Sequence, residues 1–222
     1  MLLMMLGAAG RVCAQETVFD VPSADILNKG QVYFEQDGTV RPVNVAATFT
    51  PRVVFGVGGS IEAGVNFNGL SAPGPEETVV SPTIKWRPWY DKDSGWMFYV
   101  GDDVFIPVHD RTYNAGNYAY ASVDKVWASG TRIGFGAYDF TRDVVAKANR
   151  AGGEFTFEQP VTKKLTLAVE WYTGKMADGY VNPGVIFKLT PKITLYGAYQ
   201  IGNAGVTAGN HMFLWEIGYN FN

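Results

Sequence analysis

The 222 residues predict an all-β chain, a transmembrane antiparallel up-and-down β-barrel of 12 strands with short turns at one end and longer loops at the other. Three observations carry that expectation. From Gln31 onward apolar residues recur at every second position, which is the period of a strand and not of a helix. Connections rich in Gly, Asn, Asp and Pro alternate between tight turns and longer loops, the rhythm of hairpin-joined strands in a closed barrel. Glycine is 26 of 222 residues, about 12% against an average near 7%, and many of these glycines fall on the polar side of the alternating segments.

Composition narrows the class further. With 47% hydrophobic and only 18% charged residues the chain is too apolar to be disordered. A net charge of -3 leaves no footprint for nucleic acid, which is not expected as a partner. After Gly10 no stretch approaches the roughly 18 consecutive apolar residues of a membrane helix, so any spanning must be done by strands.

Met1 to Gln15 reads MLLMMLGAAGRVCAQ, an apolar run followed by small residues, and residues 1–14 are expected to be a signal peptide. The usual basic n-region is missing, which implies that the natural start lies upstream of Met1. Cys13 is the sole cysteine, so cleavage leaves a mature chain without thiols. Residues 15–30 form an N-terminal periplasmic segment, polar with scattered apolar positions, that either plugs the mouth of the barrel or lies disordered beside it. Residues 31–222 make the barrel itself.

The first strand, 31–40, leads through the brief Arg41-Pro42 connection into 43–58. There Val43, Val45, Ala47, Phe49, Pro51, Val53, Phe55 and Val57 form one face, with Asn44, Thr48, Thr50 and Arg52 on the other. Gly58-Gly59 signals a tight turn rather than a nucleotide loop. Strand 60–69 then sets Ile61, Ala63, Val65 and Phe67 against Glu62, Gly64, Asn66 and Asn68. After the long connection from Leu70 to Glu77 comes 78–89, and Asp91 to Ser94 turns the chain into 95–108. In that strand Asp102 shares the parity of Trp96, Phe98, Val100, Val104, Ile106 and Val108. Either a bulge at Gly101-Asp102-Asp103 turns both carboxylates inward, which is the preferred reading, or Asp102 lies near a rim. The loop from His109 to Ala115 precedes 116–127, and Ser129-Gly130 turns into 131–141. The loop from Arg142 to Ala151 leads to 152–160, and Pro160 to Lys163 turns into 164–173, where Leu165, Leu167, Val169 and Trp171 oppose Thr166, Ala168, Glu170 and Tyr172. Strands 180–190, 192–202 and 210–221 repeat the alternation.

Alternation alone fits a soluble barrel or sandwich whose apolar face turns inward. Three features favour apolar faces turned to lipid. Gly64, Gly101, Gly134, Gly136, Gly184 and Gly218 on the polar face would weaken solvent-exposed strands but suit a crowded interior. Trp86, Trp89, Tyr90, Trp96 and Trp127 gather beside the short turns, where an interfacial aromatic girdle belongs. The chain ends on a strand with Phe213, Trp215, Ile217, Tyr219 and Phe221 on one face. This terminal LWEIGYNFN resembles the last strand of bacterial outer-membrane β-barrel proteins, which the outer-membrane assembly machinery reads as alternating aromatics ending in phenylalanine; here Asn222 follows Phe221. Pro22 to Glu35 (PSADILNKGQVYFE) is similar to a segment that opens several families of outer-membrane, porin-like barrels. The resemblance implies a Gram-negative outer-membrane location, with lipid and lipopolysaccharide as the surroundings.

If apolar faces meet lipid, the lumen is lined by Glu35, Asp37, Arg52, Glu62, Lys85, Arg87, Asp103, Asp124, Arg132, Glu154, Glu158, Glu170, Lys188 and Glu216. Acids outnumber bases 9 to 5 in that set, so a water-filled bore would favour cations modestly. Alternatively these charges pair across strands and fill the bore. Twelve strands lie between small barrels packed with side chains and large ones that hold open channels.

Signals for chemistry are sparse. His109 opens a long loop and His211 begins the last strand on the lipid-facing parity, but Ser81 and Ser122 point inward and offer neither histidine a nucleophile. Asp91-Lys92-Asp93-Ser94-Gly95 lacks the third acid and closing glutamate of a calcium loop and reads as a polar turn. With no Walker, dinucleotide or HExxH motif, no cofactor and no metal are expected. Arg142, Lys147 and Arg150 against Asp143 form a basic loop cluster suited to lipopolysaccharide phosphates or to solvent. The leading expectation is a non-enzymatic outer-membrane channel for passive diffusion of ions or small hydrophilic solutes. A non-conducting, surface-binding barrel is the alternative, and an outer-membrane lipid-modifying enzyme is third.

Overall fold

A computed structural model describes residues 16–42, 46–72, 78–145 and 149–221. The signal-peptide reading of residues 1–14, the strand start at Val43 and Lys147 of the basic loop lie outside the described residues.

The alternating segments fold into β1 (Val32–Arg41), β2 (Ala46–Gly58), β3 (Ile61–Asn68), β4 (Leu70–Ala72), β5 (Thr78–Asp91), β6 (Trp96–His109), β7 (Gly116–Val126), β8 (Arg132–Phe140), β9 (Ala151–Pro160), β10 (Leu165–Tyr172), β11 (Tyr180–Lys188), β12 (Ile193–Gly202) and β13 (His211–Asn220). Each long strand pairs antiparallel with its neighbours in sequence, and β1 closes the ring by pairing with β13, Tyr33 opposite Asn220 and Val40 opposite Phe213. The result is the expected closed barrel of 12 strands, with β4 outside the ring. β4 continues β3 past Gly69, whose φ of 75° takes the chain through a bulge before Leu70 pairs with Phe49 on β2. A single helical turn, Arg142–Val145, interrupts the loop after β8. Both ends of the barrel sequence lie at the short-turn mouth, because β1 begins there and β13 ends there.

Burial follows the pleat. Phe55, Phe135, Phe155, Leu167, Phe213 and Ile217 stay exposed on the outside, while inward neighbours such as Glu35, Asp124 and Glu170 are 0–1% exposed. This inversion of an ordinary protein is what a lipid solvent requires, since closure pairs the backbone internally and leaves apolar side chains outside. Trp86, Trp89, Trp96 and Trp127 lie on the outer face at the short-turn end, with Lys125 Nζ 5.5 Å from the Trp96 ring and 5.7 Å from that of Trp127. Phe213, Trp215, Ile217, Tyr219 and Phe221 continue the outer face to the end of the chain.

Two expected orientations are corrected. The pairing of β5 with β6 slips between Trp86 and Trp89, so Trp89 resumes the outer face and Tyr90 comes opposite inward-facing Met97. Tyr90 therefore sits at the lower mouth with the Arg87 guanidinium 5.0 Å from its ring, and is not part of the girdle. In β6 the register runs unbroken through Gly101, Asp102 and Asp103 against both neighbours, so no bulge forms there. Asp102 stays on the outer face opposite Ile84 and Ala119, where both its oxygens accept from Asn117 Nδ2 at 3.1 and 3.2 Å. That amide contact is what makes an outward carboxylate tolerable without a bulge.

Candidate functional site

The lumen is occupied by the protein's own N-terminal segment. From Gly30, whose N–H donates to Gly56 O at 2.8 Å, the chain runs back into the barrel and forms a short hairpin. Thr17 pairs with Pro22 across it, Val18 N donates to Val21 O at 2.8 Å, and Ser23 N donates to Glu16 O at 3.0 Å. Its apolar residues explain why it enters: Val18 and Phe19 pack on Ala168, Ile186, Tyr196, Ala198 and Leu214 inside the barrel. Phe19 fits over Gly184, where a Cβ would come within 2.6 Å of the phenyl ring, so this inward glycine makes room for it. Val21 and Ala24 pack on the opposite wall among Tyr99, Tyr118, Tyr120 and Tyr172.

Polar contacts then fix the hairpin to the wall at successive heights. At the tip, Glu170 on β10 accepts the N–H groups of Phe19, Asp20 and Val21 at 2.9, 2.8 and 2.9 Å. Asn182 Nδ2 donates to Glu170 at 2.7 Å and to Asp20 at 3.0 Å, and Gln200 Nε2 donates to Asp20 at 2.8 Å. Burial pushes the Asp20 carboxyl above its ordinary value, against the pull of Arg52 and of these two amides. Midway, Glu16 meets Arg52 Nη1 at 3.5 Å and Thr83 Oγ1 at 3.1 Å, while Lys85 Nζ donates to its carbonyl at 3.0 Å. Tyr99 Oη holds Pro22 O at 2.8 Å and Arg87 Nη1 holds Ala24 O at 2.9 Å. Lower down, Arg132 meets Asp25 at 2.8 Å, and Glu62 accepts Leu27 N at 2.9 Å while pairing with Lys85 at 2.8 Å.

All fourteen residues read as lumen-facing lie on the inner face, and they divide by role. Glu170, Glu62, Lys85, Arg87, Arg132, Arg52 and Asp124 touch the hairpin directly; Asp124 Oδ2 accepts Ala24 N at 3.4 Å. Glu154 and Glu158 are wall contacts: Glu154 accepts from Tyr118 at 2.8 Å and from Ser122, and Glu158 pairs with Arg132 at 3.2 Å. Glu35, Asp37 and Glu216 gather at the seam of β1 and β13. Lys188 is exposed at the lower mouth, and Asp103 faces open space above the hairpin.

That open space is a vestibule of about 420 Å³ on the long-loop side. Glu16, Thr17, Asp20 and Pro22 of the hairpin are its floor, and Asp37, Asp103, Asp178, Arg41 and Arg52 supply wall charges. Five carboxylates thus face two guanidinium groups around the cavity. The sequence reading missed Asp20, Asn182, Gln200 and the inner tyrosines, because it followed charges on strands and gave the leading segment no register.

The histidines do not assemble a hydrolytic site. His109 lies 3.3 Å from Asp110, and His211 stacks on Tyr199 with ring centroids 5.8 Å apart. Ser81 and Ser122 are buried in the lumen, across the sheet from His211 on the outer face. In the loop after β8, Arg150 is engaged by Asp139 at 2.7 Å and donates to Phe140 O at 3.0 Å, so it is not a free member of a basic patch.

No protein-family model matches the chain, and no curated protein matches its sequence. Solved structures do share its fold. The NanC porin superposes with a TM-score of 0.60 at 13% identity, covering 85% of this chain and 99% of that one. A COG4313 outer membrane channel from Pseudomonas putida F1 gives 0.57 at 10%, covering 88% and 97%. The outer membrane phospholipase A of Escherichia coli gives 0.50 at 10%, covering 87% and 92%. The fold is therefore that of the bacterial outer-membrane β-barrels.

Proposed function

We propose that the chain is an outer-membrane channel for ions or small hydrophilic solutes, closed from within by its N-terminal hairpin and weakly selective for cations. One observation carries the reading: a polar vestibule of about 420 Å³ ends on a floor made by residues that are not part of the barrel wall. A wall cannot move without breaking the ladder, whereas a hairpin held by side-chain contacts can. The acidic excess around the vestibule supports the cation preference, since charge lining a narrow aqueous passage sets the sign of what enters. Two of the three neighbours named are channels or porins, which supports the same assignment by analogy of fold.

The test is single-channel recording in planar bilayers under a salt gradient, comparing the intact protein with a variant lacking residues 16–25. Low or absent conductance in the intact chain, with stable cation-selective steps after deletion, is the expected result. Silence from both, in protein shown to be folded and inserted, removes the channel reading. It would leave the second one, a non-conducting barrel whose vestibule and loops bind at the surface, which the densely paired lower lumen favours.

A further inference from the structure

The seam where β1 meets β13 gathers more negative charge than the protein neutralises. Asp37 and Glu216 stand directly opposite one another in the antiparallel register and both point inward. Like charges facing each other across a ladder destabilise it, so the pair needs a compensating partner. Glu35 lies two positions along β1 on the same face, and one oxygen from each of Glu35, Asp37 and Glu216 falls within 4.8 Å of the others. The guanidinium at this spot, that of Arg52, is divided among Glu35 at 3.4 Å, Asp37 and Glu16 at 3.5 Å. Glu216 makes no ion pair with it and feels its charge only at longer range. Its residue is 1% exposed, and among the described residues neither of its oxygens accepts a hydrogen bond. Glu35 Oε1 and Asp37 Oδ1 are likewise without a hydrogen-bond donor. A buried carboxylate with no donor, beside two others that share a single guanidinium, is strongly disfavoured, so further positive charge belongs among these oxygens.

We propose that Glu35, Asp37 and Glu216 form a calcium site in the barrel wall, facing the lumen. The donor set is all carboxylate, which suits a hard cation and not zinc or copper. Geometry then selects among hard cations. Mg²⁺ demands near-ideal octahedral geometry and is usually held by one or two carboxylates with several retained waters, whereas Ca²⁺ accepts irregular sets of oxygens, so three carboxylates fixed on neighbouring strands favour Ca²⁺. The oxygens without a hydrogen-bond donor, Glu35 Oε1, Asp37 Oδ1 and both of Glu216, supply up to four of the six to eight that Ca²⁺ takes, and water from the vestibule completes the shell. Asp37 and Arg52 also line the vestibule, which gives the ion a wet path in from the long-loop side. Tyr33 Oη donates to Glu35 Oε2 and lies 3.4 Å from Tyr196 Oη, an outer contact that fixes the Glu35 side chain and leaves Oε1 turned to the site. The site requires only the folded barrel and is independent of whether the lumen conducts.

The Tyr33 phenol makes the test direct, because terbium(III) replaces calcium at oxygen sites and emits when excited through a nearby tyrosine. Full-length protein refolded in calcium-free detergent is titrated with Tb³⁺, with excitation of the phenol band. Saturable emission that Ca²⁺ displaces, and that Mg²⁺ displaces only at far higher concentration, is expected. Glu216→Gln keeps the side-chain shape and should weaken Tb³⁺ binding by more than the roughly ten-fold loss typical of removing an outer partner. Asp103→Asn, in the vestibule but outside the triad, should leave the titration unchanged. Equal titrations for wild type and Glu216→Gln, or an equal loss in Asp103→Asn, would overturn the proposal. Should Glu216→Gln not fold, Glu35→Gln replaces it, and the wild-type protein supplies a second readout. Its thermal unfolding midpoint should rise with Ca²⁺ and not with an equal concentration of Mg²⁺, and no rise overturns the site.

Discussion

Glu170 on β10 accepts the backbone N–H of Phe19 at 2.9 Å, across 151 positions of sequence, and its two oxygens take the next two N–H groups of the hairpin as well. A carboxylate that forms no ion pair among the described residues thus acts as the receptor for a stretch of backbone. Hydrogen bonds to charged groups contribute roughly 1.5–3 kcal/mol each and are not additive. Glu170→Ala should cost on the order of 3 kcal/mol of hairpin seating, about a hundred-fold in the ratio of seated to released hairpin. The open fraction in single-channel records measures it, together with protease cleavage within residues 16–25. Glu170→Gln, which keeps one acceptor oxygen, should fall between wild type and Ala. An unchanged open fraction in Glu170→Ala would mean that the hairpin is held elsewhere.

Acidity should keep the hairpin seated. In the closed barrel burial raises the Asp20 carboxyl above its ordinary 3.8, with Arg52, Asn182 and Gln200 opposing the rise, Asp178 facing the same cavity and Glu170 sharing the Asn182 amide with it. A released hairpin returns Asp20 to water and to its ordinary value. The seated state therefore holds its proton to higher pH, so seating is fullest below the ordinary value and weakens as pH rises through the raised one. Open probability should increase from acidic toward neutral pH, and Asp20→Asn should flatten that dependence. Opening on acidification, or an unchanged slope in Asp20→Asn, contradicts the assignment.

How much of this was legible in the chain depends on what carries a period. Strands such as 165–172 declare themselves, because Leu165, Leu167, Val169 and Trp171 must all reach lipid while Glu170 and Tyr172 must not. Face assignment fails only where the register slips or a side chain finds a local partner. Tyr90 changes face because Arg87 and Pro88 absorb an extra position against β6, and Asp102 keeps its face because Asn117, two strand positions away across the ladder, satisfies it. Neither event leaves a mark in alternation. The hairpin is illegible for a different reason: residues 16–29 have no repeated neighbour to set a phase, and their partners lie up to 180 positions away. The seam cluster was half visible, since Glu35, Asp37 and Glu216 were each placed inward, but their convergence depends on ring closure between β1 and β13.

Selectivity should reside in the vestibule and not in the paired lower lumen. Asp103 and Asp178 line the open cavity, whereas Glu154 is 1% exposed and engaged by Tyr118 and Ser122. Asp103→Asn with Asp178→Asn, in the background lacking residues 16–25, should move the reversal potential toward anions. Glu154→Gln in the same background should leave it in place. A shift of equal size from Glu154→Gln would place the ion path along β9 instead.

Arg132 should be worth more to stability than to conduction. It is shared by Asp25 at 2.8 Å, Glu158 at 3.2 Å and Asp124 at 3.9 Å, with its side chain 12% exposed. Removing one partner from a buried ionic group costs about 3–5 kcal/mol, because the charges left behind lose their compensation. Arg132→Met strands three carboxylates at once, two on the wall and one on the hairpin, and should lower the unfolding free energy measured by urea titration of the micelle-bound protein by that order. If uncompensated charge is the cause, adding Glu158→Met and Asp124→Leu should recover most of the loss, since an apolar set of similar volume needs no counter-ion. If instead the guanidinium acts mainly by packing against the wall, the triple variant will be no more stable than Arg132→Met alone. Heat-dependent gel mobility of the folded barrel separates the two outcomes from simple failure to insert.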